Sequence, residues 1–398
     1  MNRSCSKVPV KPRITSGLFF RLFAWSVVLL MVGTMSVAAA ETAASTSSAP
    51  SSITIAATGD IDPPGAKVVS DTILAHMAQM EITAVLIAGD TNNGSNNPLE
   101  SYQDLYKGTY DRFQDKIYPC PGNHDALSKP AFSGYCSFWG KAAHSPEMYY
   151  SFDLGGWHFI CLDSVTLVNG DRPNDGSAEA ERAKTKAARA TAKAKRAKDK
   201  KGKREKGGKG KRGENKVEGA KAESVQGASE KAAAQLAWLK SDLAANPNKP
   251  IFVQWHYPYF AHGMHQGQPK MKPFWDILYA HGPAIVLVGH DHVYERYAPL
   301  DPDGKVVAET KGLQQFQICP GGAKPIPIEI PIAPGPASLK FHSGTHHVGY
   351  FTLYPDGGYR YTIDGIESSG KTTLIDMGCG NLLGGSVPKN APTPAVTQ

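Results

Sequence analysis

The chain has 398 residues, enough for one large domain or two medium ones, and its hydrophobic fraction of 41% is ordinary for a globular protein. Its formal charge of +7 is uneven, because residues 181–216 carry a net +13, residues 1–40 add five basic and no acidic side chains, and the remainder is acidic. Only the apolar stretch within residues 22–40 is long enough to cross a bilayer, which excludes a protein with several membrane spans.

The first 40 residues have the pattern of a secretory signal peptide. Basic residues ending at Arg21 precede an apolar run from Leu22 to Ala40, and the run closes with three alanines. We therefore expect residues 1–40 to be removed, residues 41–52 to form a flexible N-terminus, and the protein to be periplasmic or secreted. An uncleaved membrane anchor is the alternative that the sequence leaves open.

Five cysteines follow the predicted signal peptide, and an odd number leaves at least one thiol unpaired outside the cytoplasm. Cys161 lies in an apolar run and is expected to be a buried free thiol. Cys120 with Cys136, or Cys319 with Cys379, are the disulfides that remain open in an oxidising compartment. No pair of cysteines has the spacing of a zinc finger.

The first half of the chain predicts a parallel sheet. Residues 53–58 and 84–88 are short apolar strands, and residues 66–80 between them have helical spacing, which together make a βαβ unit. Residues 102–113 are predicted as another helix. Two alternating segments, 149–154 and 157–162, flank Gly155-Gly156 and predict a hairpin.

Residues 166–228 interrupt this pattern with a low-complexity insertion rich in Lys, Ala and Gly, which cannot bury a core. By charge alone, its basic part at residues 181–216 could bind polyanions such as nucleic acid, anionic lipid, lipopolysaccharide or polyphosphate. It contains no aromatic residue for stacking on bases, so we expect no specific nucleic-acid recognition. A solvated surface insertion without a partner is the alternative.

The fold resumes after the insertion with alternating helices and strands. Helices are predicted at residues 232–245 and 273–280, and strands at residues 251–253, 284–288, 314–318, 350–354 and 359–363. We expect one domain over residues 53–365, followed by a loosely structured tail at residues 366–398. The oligomeric state stays open.

Polar motifs follow the predicted strands at the points where the strands end. They are Gly59-Asp60, Gly89-Asp90, Gly-Asn-His-Asp at residues 122–125, Trp255-His256, and Gly-His-Asp-His at residues 289–292. Because ligands gather outside the carboxyl ends of strands in open parallel sheets, these motifs predict one shared site. Imidazole and carboxylate side chains are common metal ligands at neutral pH. Asp291 and the nearby Arg296 are expected to orient the strand or to pair with each other.

In this order, the motifs resemble the calcineurin-like metallophosphoesterase superfamily. The run at residues 289–296, together with residues 149–164 and 236–247, is most similar to the bacterial secreted branch related to purple acid phosphatases. The resemblance covers residues 53–365 apart from the insertion. It implies an α/β fold in which two central mixed β-sheets are flanked by helices.

The resemblance also implies a site with two metal ions. Asp60 and His292 would hold the first ion, Asn123, His256 and His290 would hold the second, and Asp90 would bridge both. Mixed nitrogen and oxygen ligands suit two divalent or trivalent ions of Fe, Mn, Zn or Co. Such a pair clamps a phosphate and activates a water as hydroxide for in-line attack. His124 would donate a hydrogen bond to the phosphoryl group or a proton to the leaving group.

Two positions depart from the family pattern. Asp62 stands where many members have a histidine, and Asn93 stands where purple acid phosphatases have the tyrosine that gives their colour. A purple ferric form is therefore not expected, and Asn93 is a candidate for contact with substrate. His262 and His265, in the loop after His256, are further candidates for substrate contact, with solvated surface residues as the alternative.

The function expected from the resemblance is hydrolysis of phosphate monoesters. A phosphodiesterase or nuclease with the same site is the first alternative, and a non-catalytic polyanion-binding protein is the second. The complete set of ligand residues argues against the second alternative.

Overall fold

The computed structural model describes residues 52–170, 229–328 and 337–387. The predicted signal peptide and the basic segment at residues 181–216 lie outside these ranges, as do residues 41–51 of the N-terminus that the sequence predicts to be flexible. No helix in the described ranges is both long and apolar enough to span a membrane.

A six-stranded sheet forms one half of the domain, in the order β13-β12-β11-β1-β2-β3. Its strands are β1 (Ile53–Thr58), β2 (Ala84–Ala88), β3 (Ile117–Cys120), β11 (His346–Leu353), β12 (Gly358–Ile366) and β13 (Thr372–Asn381). The first three strands are parallel, as the βαβ pattern predicts, and the other pairings are antiparallel. Helices α1 (Gly65–Met77), α2 (Leu99–Tyr106) and α3 (Ser133–Trp139) belong to this half.

A seven-stranded sheet forms the other half, in the order β10-β8-β9-β7-β6-β5-β4. Its strands are β4 (Tyr150–Leu154), β5 (Trp157–Cys161), β6 (Ile251–Gln254), β7 (Ala284–Val288), β8 (Tyr294–Tyr297), β9 (Leu313–Ile318) and β10 (Ser338–His342). Strands β5, β6, β7 and β9 run parallel, and β4 and β5 form the predicted hairpin. Helices α4 (Ser164–Asn169), α5 (Glu230–Ala245) and α6 (Lys272–His281) belong to this half.

Apolar side chains between and outside the sheets hold these layers together. Ile55 and Phe351 of the first sheet pack with Phe252 and Phe316 of the second in a shared core. Separate clusters pack each sheet against its own helices. The central strands are therefore buried on both faces, which explains why β2 and β7 are continuous apolar runs. The expected fold class, two mixed sheets flanked by helices, is confirmed.

The C-terminal tail differs from the prediction. Strand β12 continues to Ile366, and β13 follows it as a full edge strand instead of a loose segment. Asp376 in β13 accepts hydrogen bonds from the Tyr294 hydroxyl (2.7 Å) and Arg296 Nε (2.7 Å). Arg296 thus pairs with Asp376 and not with Asp291. This strand was missed because its polar and small residues, Gly378 and Gly380 among them, give no clear alternation.

The start of the insertion also differs from the prediction. Residues 166–169 belong to α4, whose first turn is capped by Asp163 through Val165 N–H (2.9 Å) and Thr166 N–H (3.0 Å). After the undescribed residues, α5 begins behind Ser229, whose hydroxyl accepts from Ala232 N–H. A Cβ placed on Gly170 would lie 3.8 Å from the Cβ of Ser229, so the chain leaves and re-enters the domain at neighbouring points.

The structure also decides the predicted helix at residues 102–113 and the state of the cysteines. The helix predicted over residues 102–113 is two elements, α2 and a 3₁₀ turn at Tyr110–Lys116, separated by non-helical backbone at Thr109. Among the described residues, Cys120, Cys136, Cys161 and Cys319 are free thiols, so neither Cys120–Cys136 nor Cys319–Cys379 forms a disulfide, and Cys161 is buried as expected.

Candidate metal centre

Five strand ends bring the motif residues to one edge of the domain. Strands β1, β2 and β3 deliver Asp60, Asp90 and Asn123, and strands β6 and β7 deliver His256 and His290. The first three belong to the six-stranded sheet and the last two to the seven-stranded sheet. The site therefore lies where the carboxyl edges of the two sheets meet, as the strand-end pattern predicts.

His256 is the centre of one half of the site and is fully buried. Three side chains approach its Nε2 atom: Asn123 Oδ1 at 3.0 Å, His290 Nδ1 at 3.2 Å and Asp90 Oδ2 at 3.3 Å. Its Nδ1 lies 3.0 Å from the Ala88 carbonyl oxygen and therefore carries a hydrogen, which leaves Nε2 as the ligand atom. These four residues are the set that the resemblance implies for the second ion.

Asp60 is the centre of the other half. Its Oδ2 accepts the backbone N–H of His290 at 2.9 Å, and its Oδ1 lies 3.4 Å from His292 Nε2. His292 Nδ1 lies 3.0 Å from the Lys324 carbonyl oxygen, which again fixes the tautomer and leaves Nε2 facing the carboxylate. The backbone of Ile61 donates to the Asp90 carbonyl (2.9 Å), so the loops after β1 and β2 are tied together.

The backbone is strained at the residues that form the site. Asp60 (φ 60°), Asp90 (φ 47°), His290 (φ 83°) and His292 (φ 55°) all have left-handed backbone, which is uncommon for residues other than glycine. Such conformations persist only where the surrounding structure imposes them, and they concentrate at functional sites. The sharp turns point these side chains back into the space at the strand ends.

The glycines of the motifs are required because neighbouring atoms of the site lie where a side chain would begin. A Cβ on Gly122 would lie 2.1 Å from both the backbone nitrogen and Oδ1 of Asp90. A Cβ on Gly289 would lie 2.6 Å from Asp60 Oδ2 and from the Ala88 carbonyl oxygen. Any side chain at either position would push a carboxylate out of the site, which explains why glycine precedes the polar residue.

Charges in the site are strongly coupled. Burial would raise the pKa of Asp90, but the charges of His256 and His124 outweigh it and lower that pKa to about 2. Burial would lower the pKa of His256 and His292, yet the neighbouring Asp90 and Asp60 carboxylates raise each to about 9. Positive charge beside the two carboxylates therefore stabilises their ionised form, and either protonated imidazoles or bound cations can supply it.

The donor set fits metal ions. Asp60 Oδ1 and Asp90 Oδ2 are buried and have no hydrogen-bond partner among the described residues, an expensive arrangement unless a cation neutralises them. Ligand atoms of Asp90, His256 and His290 all lie within 4.8 Å of one another. Carboxylate oxygen, amide oxygen and imidazole nitrogen together suit Fe, Mn, Zn or Co. These residues could hold such ions without rearrangement of the strands.

His124 lies beside this centre and is half-buried. Its backbone N–H donates to Asp90 Oδ1 at 2.7 Å, and its Nδ1 lies 2.7 Å from the carbonyl oxygen of Gly94. The ring is therefore held through Nδ1, and because a carbonyl oxygen only accepts, the hydrogen lies on that nitrogen.

Asp125 is a site residue for which the sequence analysis predicts no role. It is fully buried and accepts hydrogen bonds from Tyr102 Oη (2.6 Å), Gly122 N–H (2.8 Å), Thr91 N–H (3.0 Å) and Thr91 Oγ1 (2.8 Å). Burial and the Asp90 charge raise its pKa to about 6. It ties the loop after β2 to the loop after β3. Its place in the Gly-Asn-His-Asp motif was the available signal, but the partners come from distant loops.

The two histidines predicted to contact substrate, His262 and His265, differ in their partners and in their exposure. His262 is held by the buried Glu295, which lies 2.6 Å from its Nδ1 and accepts its backbone N–H at 2.9 Å. His265 is more exposed, and its ring centroid lies 4.6 Å from that of His290. Glu295 was missed because its contact joins strand β8 to a loop that is distant in the sequence.

Asn93 and Asp62 both lie close to the centre. Asn93 is half-buried, its N–H donates to Ile61 (2.7 Å), and its Oδ1 has no hydrogen-bond partner among the described residues. Burial raises the pKa of Asp62, and the charges of His124 and His292 lower it. The Asp90 charge raises the pKa of Asp62 as well, and the net direction is upward, so Asp62 lies within reach of the charges of the centre.

Comparisons with known proteins agree with this geometry. A family profile for calcineurin-like phosphoesterases matches residues 53–294. Purple acid phosphatase 18 of Arabidopsis thaliana is 24% identical over 268 residues, which cover 61% of this chain and 44% of the relative. The chain therefore spans less than half the length of that relative.

Two solved structures share the fold. GAP50, the anchor in the inner membrane complex of Plasmodium, superposes with a TM-score of 0.53 at 12% identity and covers 86% of this chain and 99% of its own. Purple acid phosphatase PPD1 from yellow lupin (Lupinus luteus) seeds superposes with a TM-score of 0.51 at 14% identity, covering 87% and 57%. The chain belongs to the calcineurin-like phosphoesterase family.

Proposed function

We propose that this protein hydrolyses phosphate monoesters at a site with two metal ions. Asp60 and His292 would hold one ion, Asn123, His256 and His290 would hold the other, and Asp90 would bridge them. When bound, the ions supply charge neutralisation of the phosphate and activation of a water. The names of the Arabidopsis and lupin relatives, both phosphatases, support a monoester substrate.

The residues of this chain do the remaining work. The strained turns at Asp60 and Asp90 keep both carboxylates aimed at the centre, so little reorganisation is needed when substrate arrives. His124 would donate a hydrogen bond to the phosphoryl group or a proton to the leaving oxygen. We propose His262, His265 and Asn93 as the residues that would contact the ester; the ring of His265, with its centroid 4.6 Å from that of His290, supports this for His265.

One observation carries this proposal. The oxygen atoms Asp60 Oδ1 and Asp90 Oδ2 are buried without hydrogen-bond partners among the described residues. They lie beside three histidines that follow strands of the other sheet. Stable folding alone does not favour two such carboxylates, since each costs free energy until it is neutralised. A polyanion-binding role without catalysis does not account for this arrangement.

Activity on a matched pair of esters tests the proposal. The purified protein should release p-nitrophenol from p-nitrophenyl phosphate faster than from bis(p-nitrophenyl) phosphate, lose activity on chelation, and regain it with Mn, Zn, Co or Fe. Preference for the diester would instead favour the phosphodiesterase alternative, for which the basic residues 181–216 are the motivating feature. Absence of metal-dependent hydrolysis of either ester would contradict both.

We also propose that the protein is exported to the periplasm or secreted, as in the bacterial secreted branch it resembles. The basic and apolar pattern of residues 1–40 supports this. Expression with this segment in a bacterial host, followed by fractionation and N-terminal sequencing, should give a mature chain beginning near residue 41. Retention of the intact leader in the membrane fraction would favour the uncleaved anchor.

A further inference from the structure

Asn97 lies in the loop between β2 and α2 and has no role in the motifs that define the family resemblance. It is buried to 1% exposure, although a loop asparagine is usually solvated. Its Nδ2 faces three backbone carbonyl oxygens, those of Asn92 (2.6 Å), His124 (2.9 Å) and Gly94 (3.4 Å). One amide group therefore joins the loop after β2 to the loop that carries His124.

The orientation of this amide follows from its surroundings. A flipped side chain would place a carbonyl oxygen against three other carbonyl oxygens, which is repulsive, so the nitrogen must face them. Asn97 Oδ1 has no hydrogen-bond partner among the described residues, and burying a polar atom in this way has a cost. The three carbonyls are thus the reason for an asparagine at this position.

Gly94 connects Asn97 to the His124 ring. The Gly94 carbonyl oxygen lies 2.7 Å from His124 Nδ1, and Gly94 N–H donates to Asn92 Oδ1 at 3.0 Å. Since a carbonyl oxygen only accepts, His124 Nδ1 carries the hydrogen and the rotation of the ring is fixed. Asn97 holds both ends of this contact, the Gly94 carbonyl and the His124 backbone.

Helix α3 packs closely against the backbone of Asn97. A Cβ placed on Gly134, in the first turn of α3, would lie 1.9 Å from the Asn97 carbonyl oxygen. The backbone of Asn97 is therefore pressed against a helix and cannot shift freely. This gives the loop the rigidity that precise placement of a catalytic side chain requires.

We propose that Asn97 is the positioning residue of His124. It fixes the Gly94 carbonyl and the His124 backbone together, so that the imidazole presents Nε2 to the leaving group of the ester. This inference rests on the proposed function and deepens it by naming what orients the proton donor.

The test compares two monoesters that differ in their need for a proton. Phenyl phosphate has a poor leaving group and p-nitrophenyl phosphate a good one, so loss of His124 placement should affect the first more. We expect Asn97→Asp to lower kcat/KM about tenfold more for phenyl phosphate than for p-nitrophenyl phosphate. A merely structural defect would lower both in proportion. Asn96→Asp, the same change at the exposed neighbour, is the matched control and should leave both rates unchanged.

A double-mutant cycle completes the test. In the His124→Ala background, Asn97→Asp should change kcat/KM less than about twofold, because the two residues act as one unit. Metal content should stay at the wild-type value in both single variants. Equal losses for the two esters, or additive losses in the double variant, would overturn the proposal.

A readout without turnover separates this inference from the proposed function. In zinc-loaded protein, long-range ¹H–¹⁵N spectra should show His124 with hydrogen on Nδ1, assigned by comparison with His124→Gln, and Asn97→Asp should abolish that signal. Should the wild type hydrolyse no ester, the proposed function fails, and this spectrum still decides the inference. An unchanged His124 signal in Asn97→Asp would contradict it.

Discussion

The backbone N–H of His265 donates a 2.7 Å hydrogen bond to Oδ1 of Asp291, a carboxyl buried between the two histidines of the Gly-His-Asp-His motif. Burial raises the pKa of Asp291 to about 7, while the His265 hydrogen bond lowers it. A Cβ on Gly263 would lie 2.4 Å from Asp291 Oδ2, so the loop passes directly over this residue. Asp291 thereby anchors the loop that holds His265 near the centre.

This anchor predicts matched effects for two substitutions. His265→Ala removes the imidazole that would contact the substrate, and Asp291→Ala removes the acceptor that holds the loop of His265. Each change should raise KM about fivefold to tenfold, the loss expected for a substrate hydrogen bond of net value about 1 to 1.5 kcal/mol. Asp291→Asn retains an oxygen acceptor and should stay within about twofold of wild type. Steady-state kinetics with p-nitrophenyl phosphate measure this. A large KM effect of Asp291→Ala with none for His265→Ala would contradict it.

The edge strand β13 should contribute measurably to stability. Asp376→Ala leaves the half-buried Arg296 and the Tyr294 hydroxyl without their acceptor and should lower the free energy of unfolding by about 2 kcal/mol. Glu367→Ala removes an exposed pair with Lys371 and should cost less than about 0.5 kcal/mol. Urea denaturation of both variants measures the difference. Equal stabilities of the two variants would show that β13 is not tied to β8.

Stability should depend on pH through His158. Burial opposes a charge on this ring, but hydrogen bonds to Asp242 and Asp153, each 2.8 Å, raise its pKa above 6.5. A raised pKa means that the folded state binds the proton more tightly, so the stabilisation is complete below pH 6.5 and is lost as pH rises through the folded pKa. Lys249, which pairs with Asp153, and His281 also face this group.

Thermal denaturation across pH 5.5 to 9 tests this dependence. The melting temperature of wild type relative to His158→Gln should be highest at the acidic end and fall toward the alkaline end. A constant difference across this range would mean that His158 does not change its charge on unfolding.

The basic segment should be dispensable for the fold. Because Gly170 and Ser229 lie side by side, a short Gly-Ser linker can replace residues 171–228 without moving α4 or α5. We expect the shortened protein to keep wild-type metal content and p-nitrophenyl phosphate turnover and to lose salt-sensitive binding to heparin. Loss of folding on deletion, or unchanged heparin binding, would contradict the view of the segment as a separate polyanion-binding arm.

Much of the fold was predictable because its signals are local. The apolar strands, the glycine turns and the polar residues that follow them lie within a few positions of one another, and the resemblance to the superfamily rests on these motifs. The same locality brought Asp60, Asp90 and His256 to one edge in the prediction, since parallel strands end at the same side.

The remaining features depend on contacts between distant parts of the chain. Nothing near Asp376 indicates that it pairs with Arg296, so β13 resembled a loose tail in the sequence. Asn97 in its loop and Glu295 in β8 likewise contact groups that only the folded chain brings close. Sequence patterns report which face of an element is buried, and they carry no information on which loop packs against it.

Metal stoichiometry in matched variants tests the central claim most directly. Reconstituted wild type should bind two ions per chain, measured by inductively coupled plasma mass spectrometry. Asp90→Ala and His290→Ala should each lose at least one ion, together with about a thousandfold or more of the turnover. Asp276→Ala, an exposed acidic residue in α6, is the control and should match wild type in both respects. Unchanged metal content and turnover in Asp90→Ala and His290→Ala would contradict the assignment of this edge as a dinuclear phosphoesterase centre.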